Sequence, residues 1–106
     1  MVFVETPVFT RTMKRVMTDE EYRQLQSAMV ARPDRGDLIP GSGGLRKLRW
    51  KISGRGKRGG ARVIYYWAVA PNEFYMLLVY VKAEQEDLTR DQLQILRQIV
   101  EDWKDG

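Results

Sequence analysis

The chain has 106 residues, 43% of them hydrophobic and 30% charged, with a formal net charge of +4 and a pI of about 9.6. That length makes one domain, residues 1–106, with a single modest core. The absence of Cys excludes disulfides and a thiolate zinc site, and the absence of His removes the usual general base and the commonest metal ligand, so no metal or cofactor is expected.

Val2–Glu5 is short and β-branched, which predicts an edge strand. Thr6-Pro7 reads as an N-cap followed by Pro at the first helical position. Phe9, Met13 and Val16 follow at helical spacing and carry a short amphipathic helix to about Val16. Thr18-Asp19-Glu20-Glu21 is a capping box that opens a second helix, with Tyr22, Leu25 and Met29 on its apolar stripe. Pro33 ends that helix, because the residue before Pro avoids helical angles. The two helices are expected to form a hairpin across a sheet.

Asp34–Gly44 reads as a loop, since eight of the nine glycines lie between Gly36 and Gly60. The strand Leu45–Ile52 follows. Leu45, Lys47, Arg49 and Lys51 alternate onto one face; Arg46, Leu48, Trp50 and Ile52 share the other, which should face the core. By phase Trp50 belongs in that core, and its other reading is a platform for a nucleic-acid base. Tyr65 and Tyr66 point to opposite faces. Arg62–Val69 and Phe74–Lys82 are apolar on both faces and should be central strands with helices on at least one side. Thr89-Arg90-Asp91-Gln92 is a second capping box, with Leu88 and Leu93 as a hydrophobic staple. Leu93, Leu96, Val100 and Trp103 line one face of the closing helix. The order β-α-α-β-β-β-α predicts an α+β fold with a mainly antiparallel sheet of about four strands.

No apolar run reaches membrane-spanning length, and "MVFVETPVF" lacks the charged start and cleavage site of a signal peptide. A cytoplasmic protein with no membrane partner is the expectation.

Charge is concentrated in one place. "LRKLRWKISGRGKRGGARVIYY" (Leu45–Tyr66) holds Arg46, Lys47, Arg49, Lys51, Arg55, Lys57, Arg58 and Arg62 and no acid. The other ten basic residues face all 14 acids, so the remainder of the chain is net negative. Lys on a strand edge is often only a solvated guard against sheet-to-sheet pairing, which accounts for two or three such residues. Eight of them beside central apolar strands point instead to a surface for a polyanion, and to nucleic acid first.

"GLRKLRW", then "GKRGGARVIYYW", then "YVKAEQEDLT" resemble the HigB branch of the RelE/ParE toxin superfamily, and the resemblance covers nearly the whole chain. It implies a RelE-like fold, with the N-terminal helical hairpin and the C-terminal helix on a twisted sheet. It also implies a toxin of a bacterial type II toxin–antitoxin pair that cuts mRNA in the ribosomal A site. The partners it implies are the ribosome, mRNA and a cognate antitoxin with a helix-turn-helix DNA-binding domain. The toxin would be a monomer when free and part of a hetero-oligomer with its antitoxin.

RNA carries its own nucleophile, the 2′-OH. Cleavage needs removal of that proton, stabilisation of charge on phosphorus and a proton for the leaving 5′-oxygen. Arg suits the charge stabilisation and Lys can move protons, so a basic cluster supplies these roles without His. In the resemblance, Lys47 and Arg49 match the pair beside the reacting phosphate and Arg62 the Arg opening the next strand. Arg49 and Arg62 are then assigned to transition-state stabilisation and Lys47 to proton transfer. Lys82 stands where the family has a basic or polar site residue. Ala83 replaces an Arg frequent in the RelE branch, which leaves the leaving-group acid open between Glu84, a tyrosine and the ribosome's RNA. Arg46, Lys51, Arg55, Lys57 and Arg58 are the expected RNA-binding residues.

A shared site requires Arg62 and Lys82 on one sheet face. A three-residue turn, Ala70–Asn72, would achieve that and is expected; a two-residue turn would not, unless a bulge intervened. Two other functions compete. One is a ParE-like inhibitor of DNA gyrase without nuclease activity, disfavoured by the joint presence of Lys47, Arg49 and Arg62. The other is a non-catalytic RNA-binding module.

Overall fold

Each predicted helix start forms as its capping residues require. The computed structural model describes residues 1–54 and 56–105. Its elements are β1 (Val2–Glu5), α1 (Pro7–Val16), α2 (Asp19–Ala31), β2 (Asp37–Leu38), β3 (Arg46–Trp50), β4 (Ala61–Ala68), β5 (Glu73–Val81) and α3 (Arg90–Asp105). The Thr6 hydroxyl oxygen accepts from Phe9 N at 3.0 Å, and the hydroxyl donates to the Leu77 carbonyl at 2.9 Å, tying the start of α1 to β5. At α2, Glu21 N donates to the Thr18 hydroxyl at 3.0 Å and Thr18 N to the Glu21 carboxylate at 2.8 Å. At α3 the same reciprocal pair joins Thr89 and Gln92, both at 3.0 Å.

The fold is α+β. Five strands form one sheet in the order β1-β5-β4-β3-β2, with β1 parallel to β5 and the other neighbours antiparallel. The fifth strand, β2, lies inside the stretch read as a loop. Two residues are too few to show alternation. They pair with β3 because the intervening chain folds tightly: Ile39 N donates to the Leu45 carbonyl at 2.9 Å, and Leu45 N donates to the buried Ser42 hydroxyl at 3.0 Å.

Helices cover both faces, which is why β4 and β5 are apolar on both sides. Phe9, Met13 and Val16 of α1 and Leu25 and Met29 of α2 pack on Leu48, Val63, Tyr65, Met76 and Val79, with Trp50 and Ile52 at the margin. On the other face Leu96 and Val100 of α3 pack on Ile64, Tyr75, Leu77 and Tyr80. Trp50 therefore belongs to the core side. Tyr65 is fully buried on the hairpin face, while Tyr66 lies on the α3 face. The Tyr65 hydroxyl donates to the Pro33 carbonyl at 2.8 Å and accepts from Gly36 N at 2.9 Å. Tyr65→Phe leaves both backbone groups unpaired and should cost about 1–3 kcal/mol, read from the denaturant midpoint.

The turn between β4 and β5 differs from expectation. Ala68 pairs with Glu73, so four residues turn, closed by Asn72 N donating to the Val69 carbonyl at 3.1 Å, with Asn72 at φ 57°. Asn tolerates that left-handed conformation better than most residues. That register alone would set Arg62 opposite Val79. A bulge restores the phase: Tyr65 pairs with Met76 but Ile64 with Leu78, so Leu77 is the extra residue and Arg62 stands opposite Tyr80. No helix among the described residues is long and apolar enough to cross a membrane.

Candidate nucleic-acid interface

The ladder aligns Arg49 with Arg62 and Arg62 with Tyr80. Directly opposed residues of paired strands project to one face. Lys47, two residues before Arg49, shares that face by alternation, and Lys82, in the turn just past β5, lies close enough to Asp87 to lower its carboxyl. Lys47, Arg49 and Arg62 are thus together on the α3 side of the sheet, with Lys82 beside them. The helix covers the part of that face carrying Tyr75, Leu77 and Ile64 and leaves the basic part open.

Two like charges sit directly across the strands at Arg49 and Arg62, an arrangement that destabilises a sheet. Among the described residues no carboxylate lies within ion-pairing distance of either. Arg49 is exposed. Arg62 is half-buried, and its Nη1 donates to the Gly59 and Ala61 carbonyls at 3.0 and 3.2 Å. Lys47 and Lys82 are answered by the acidic turn after β5: Lys47 Nζ reaches Asp87 at 3.2 Å and Lys82 Nζ reaches Glu86 at 3.8 Å. Such exposed pairs are weak and readily exchanged for another anion. Beside them a cleft of about 380 Å³ opens, with Lys47, Arg49 and Asp87 on its wall and Pro40, Leu88 and Leu93 as its apolar side.

Two residues at this face were not singled out by sequence reasoning. The Tyr80 hydroxyl is buried with no hydrogen-bond partner among the described residues, and burial, assisted by Asp87, pushes it up to about 12. It therefore keeps its proton at neutral pH. Its placement opposite Arg62 is legible only once the bulge is known. Asp87 is held below the ordinary carboxylate range, first by the Leu88 N–H and then by Lys47 and Lys82. Nothing local in "EQEDLT" signals that the turn folds back onto β3. A carboxyl lowered on folding adds stability above its unfolded value, and that stability is lost as the pH falls through the folded value. Asp87→Asn should therefore flatten part of the fall in melting temperature as the pH drops below about 4.

The other expected residues separate. Glu84 turns to α1, where its carboxylate lies 3.6 Å from Arg15, and is not directed at Lys47. Arg46 is on the hairpin face, its guanidinium donating to the Gly36 and Asp34 carbonyls at 2.8 and 3.2 Å, so it braces the chain after α2. Lys57 is half-buried and donates to the Val16 and Arg15 carbonyls at the end of α1. Lys51 and Arg58 are exposed. Arg55 lies outside the described residues.

No protein-family model matches the chain.

Proposed function

We propose that the chain is the toxin of a type II toxin–antitoxin pair and acts as a ribosome-dependent mRNA endonuclease of the HigB kind on a RelE-like fold. The observation that carries this reading is the uncompensated Arg49–Arg62 pair, flanked on one face by Lys47 and Lys82. A fold that tolerates opposed charges gains from them when a polyanion occupies the surface. In this reading Arg49 and Arg62 take the charge developing on the phosphate oxygens, and Lys47, released from Asp87 and in its neutral amine form, accepts the 2′-OH proton. Of the groups that could protonate the leaving 5′-oxygen, Tyr80 lies on the face of Arg62 but its hydroxyl is buried, and Glu84 faces Arg15. Lys51 and Arg58 grip neighbouring phosphates. A helix-turn-helix antitoxin would neutralise the basic face with acidic side chains.

The test adds purified protein to a cell-free bacterial translation reaction and maps new mRNA 5′ ends, beside a tube without ribosomes. Cuts only in the translating tube are expected. Cuts in both make the protein a free ribonuclease. No cuts in either overturn the nuclease reading, and a supercoiling assay then tests gyrase inhibition.

A further inference from the structure

The basic loop between β3 and β4 is fastened at two points to the corner where α1 meets α2. At its start, Ser53 N donates to Glu21 Oε2 at 2.6 Å, while Glu21 Oε1 accepts from Thr18 N at 2.8 Å in the capping box. One carboxylate thus serves a helix start and a distant loop, and these backbone N–H groups, Thr18 foremost, hold it below its ordinary range. Further along, the Lys57 ammonium donates to the Val16 and Arg15 carbonyls. These carbonyls end α1 and carry the negative end of its dipole, so a cation is favoured there.

The fastening leads directly to the basic face. The Lys57 carbonyl accepts from Gly60 N at 3.1 Å, and the Gly60 carbonyl accepts from Lys82 N at 3.0 Å. The Gly59 carbonyl accepts from Arg62 Nη1 at 3.0 Å. The helical corner, the end of the loop, the Arg62 guanidinium and the backbone of Lys82 just past β5 are therefore linked by successive hydrogen bonds.

We infer that Glu21 and Lys57 are positioning residues that clamp the basic loop to the α1–α2 corner and thereby set Arg62, and that Lys57 is not a phosphate contact. The effect on cleavage rests on the nuclease reading; the clamp itself does not.

The first measurement needs no nuclease activity. Glu21→Gln keeps one acceptor oxygen, enough for the capping box but not for Ser53 as well. Trypsin should cut the loop of this variant at least about tenfold faster than in the native protein, because local opening costs less. Its melting temperature, followed in parallel, should change little. Unchanged loop cleavage overturns the clamp.

The second measurement separates positioning from phosphate contact. Binding of a short oligouridylate is followed against salt. Each phosphate contact adds about 0.7 to the slope of log K against log salt for a single strand. Lys57→Gln should leave that slope intact, whereas Arg58→Gln should lower it by about one such contact. A slope lowered by Lys57→Gln as much as by Arg58→Gln overturns the assignment. On programmed ribosomes Lys57→Gln should lower kcat more than it raises KM, and Lys57→Arg, which still donates to the α1 carbonyls, should restore kcat. Loss confined to KM would also overturn it. A native protein that does not cut at all removes the function while leaving the trypsin result to stand.

Discussion

In the proposed nuclease, Arg62→Ala should lower mRNA cleavage on translating ribosomes by at least about 100-fold, the usual cost of removing one donor from a transition state that gathers negative charge. Arg62 is the central member of the row Arg49–Arg62–Tyr80, and only its Nη1 is used by the Gly59 and Ala61 carbonyls. The rest of its fork has no protein partner among the described residues. Arg62→Lys should recover only part of the rate, because an ammonium cannot present two parallel donors. The fold should survive Arg62→Ala, since the substitution removes one of two opposed charges and no core side chain. Primer extension gives the rate and a thermal melt gives the stability. Undiminished cleavage removes Arg62 from the chemistry; a collapsed melt would attribute the loss to unfolding.

Gly60→Ala should destabilise the fold by at least about 2 kcal/mol and reduce cleavage with it. Gly60 has φ 73°, where an L side chain is strained. A Cβ there would also stand inside van der Waals contact of the Trp50 carbonyl oxygen, with the Trp50 carbonyl carbon at 3.2 Å. Neither atom can move aside, because Trp50 is paired with Ala61 at the end of β3. The Gly60 carbonyl also receives Lys82 N, so a shift here disturbs Arg62 and Lys82 together. Gly56→Ala is the comparison. Gly56 has φ 79° but open space around its Cβ position, so it should lose only about 1 kcal/mol. Chemical denaturation of both variants decides the matter, and equal losses would remove the steric argument at Gly60.

Much of the architecture was legible locally. Thr6-Pro7, Thr18 with Glu21 and Thr89 with Gln92 mark their helix starts, because a cap is made by residues a few positions apart. The alternation of Lys47 and Arg49 against Leu48 and Trp50 assigned the faces of β3, because side chains of a strand project to opposite sides by geometry alone. The two-residue strand β2 was not legible, since its pairing depends on Ser42 closing a turn.

The sequence by itself determined the α+β class, the helix starts and the gathering of eight basic residues in one segment without acids. Tertiary structure alone decided which of those charges meet. The bulge at Leu77 set Arg62 opposite Tyr80 despite a four-residue turn. The fold-back of the β5–α3 turn brought Asp87 to Lys47, and the helical corner drew Lys57 away from the basic face. Register and long-range ion pairs join residues far apart in the chain, and a pattern of near neighbours carries no record of them.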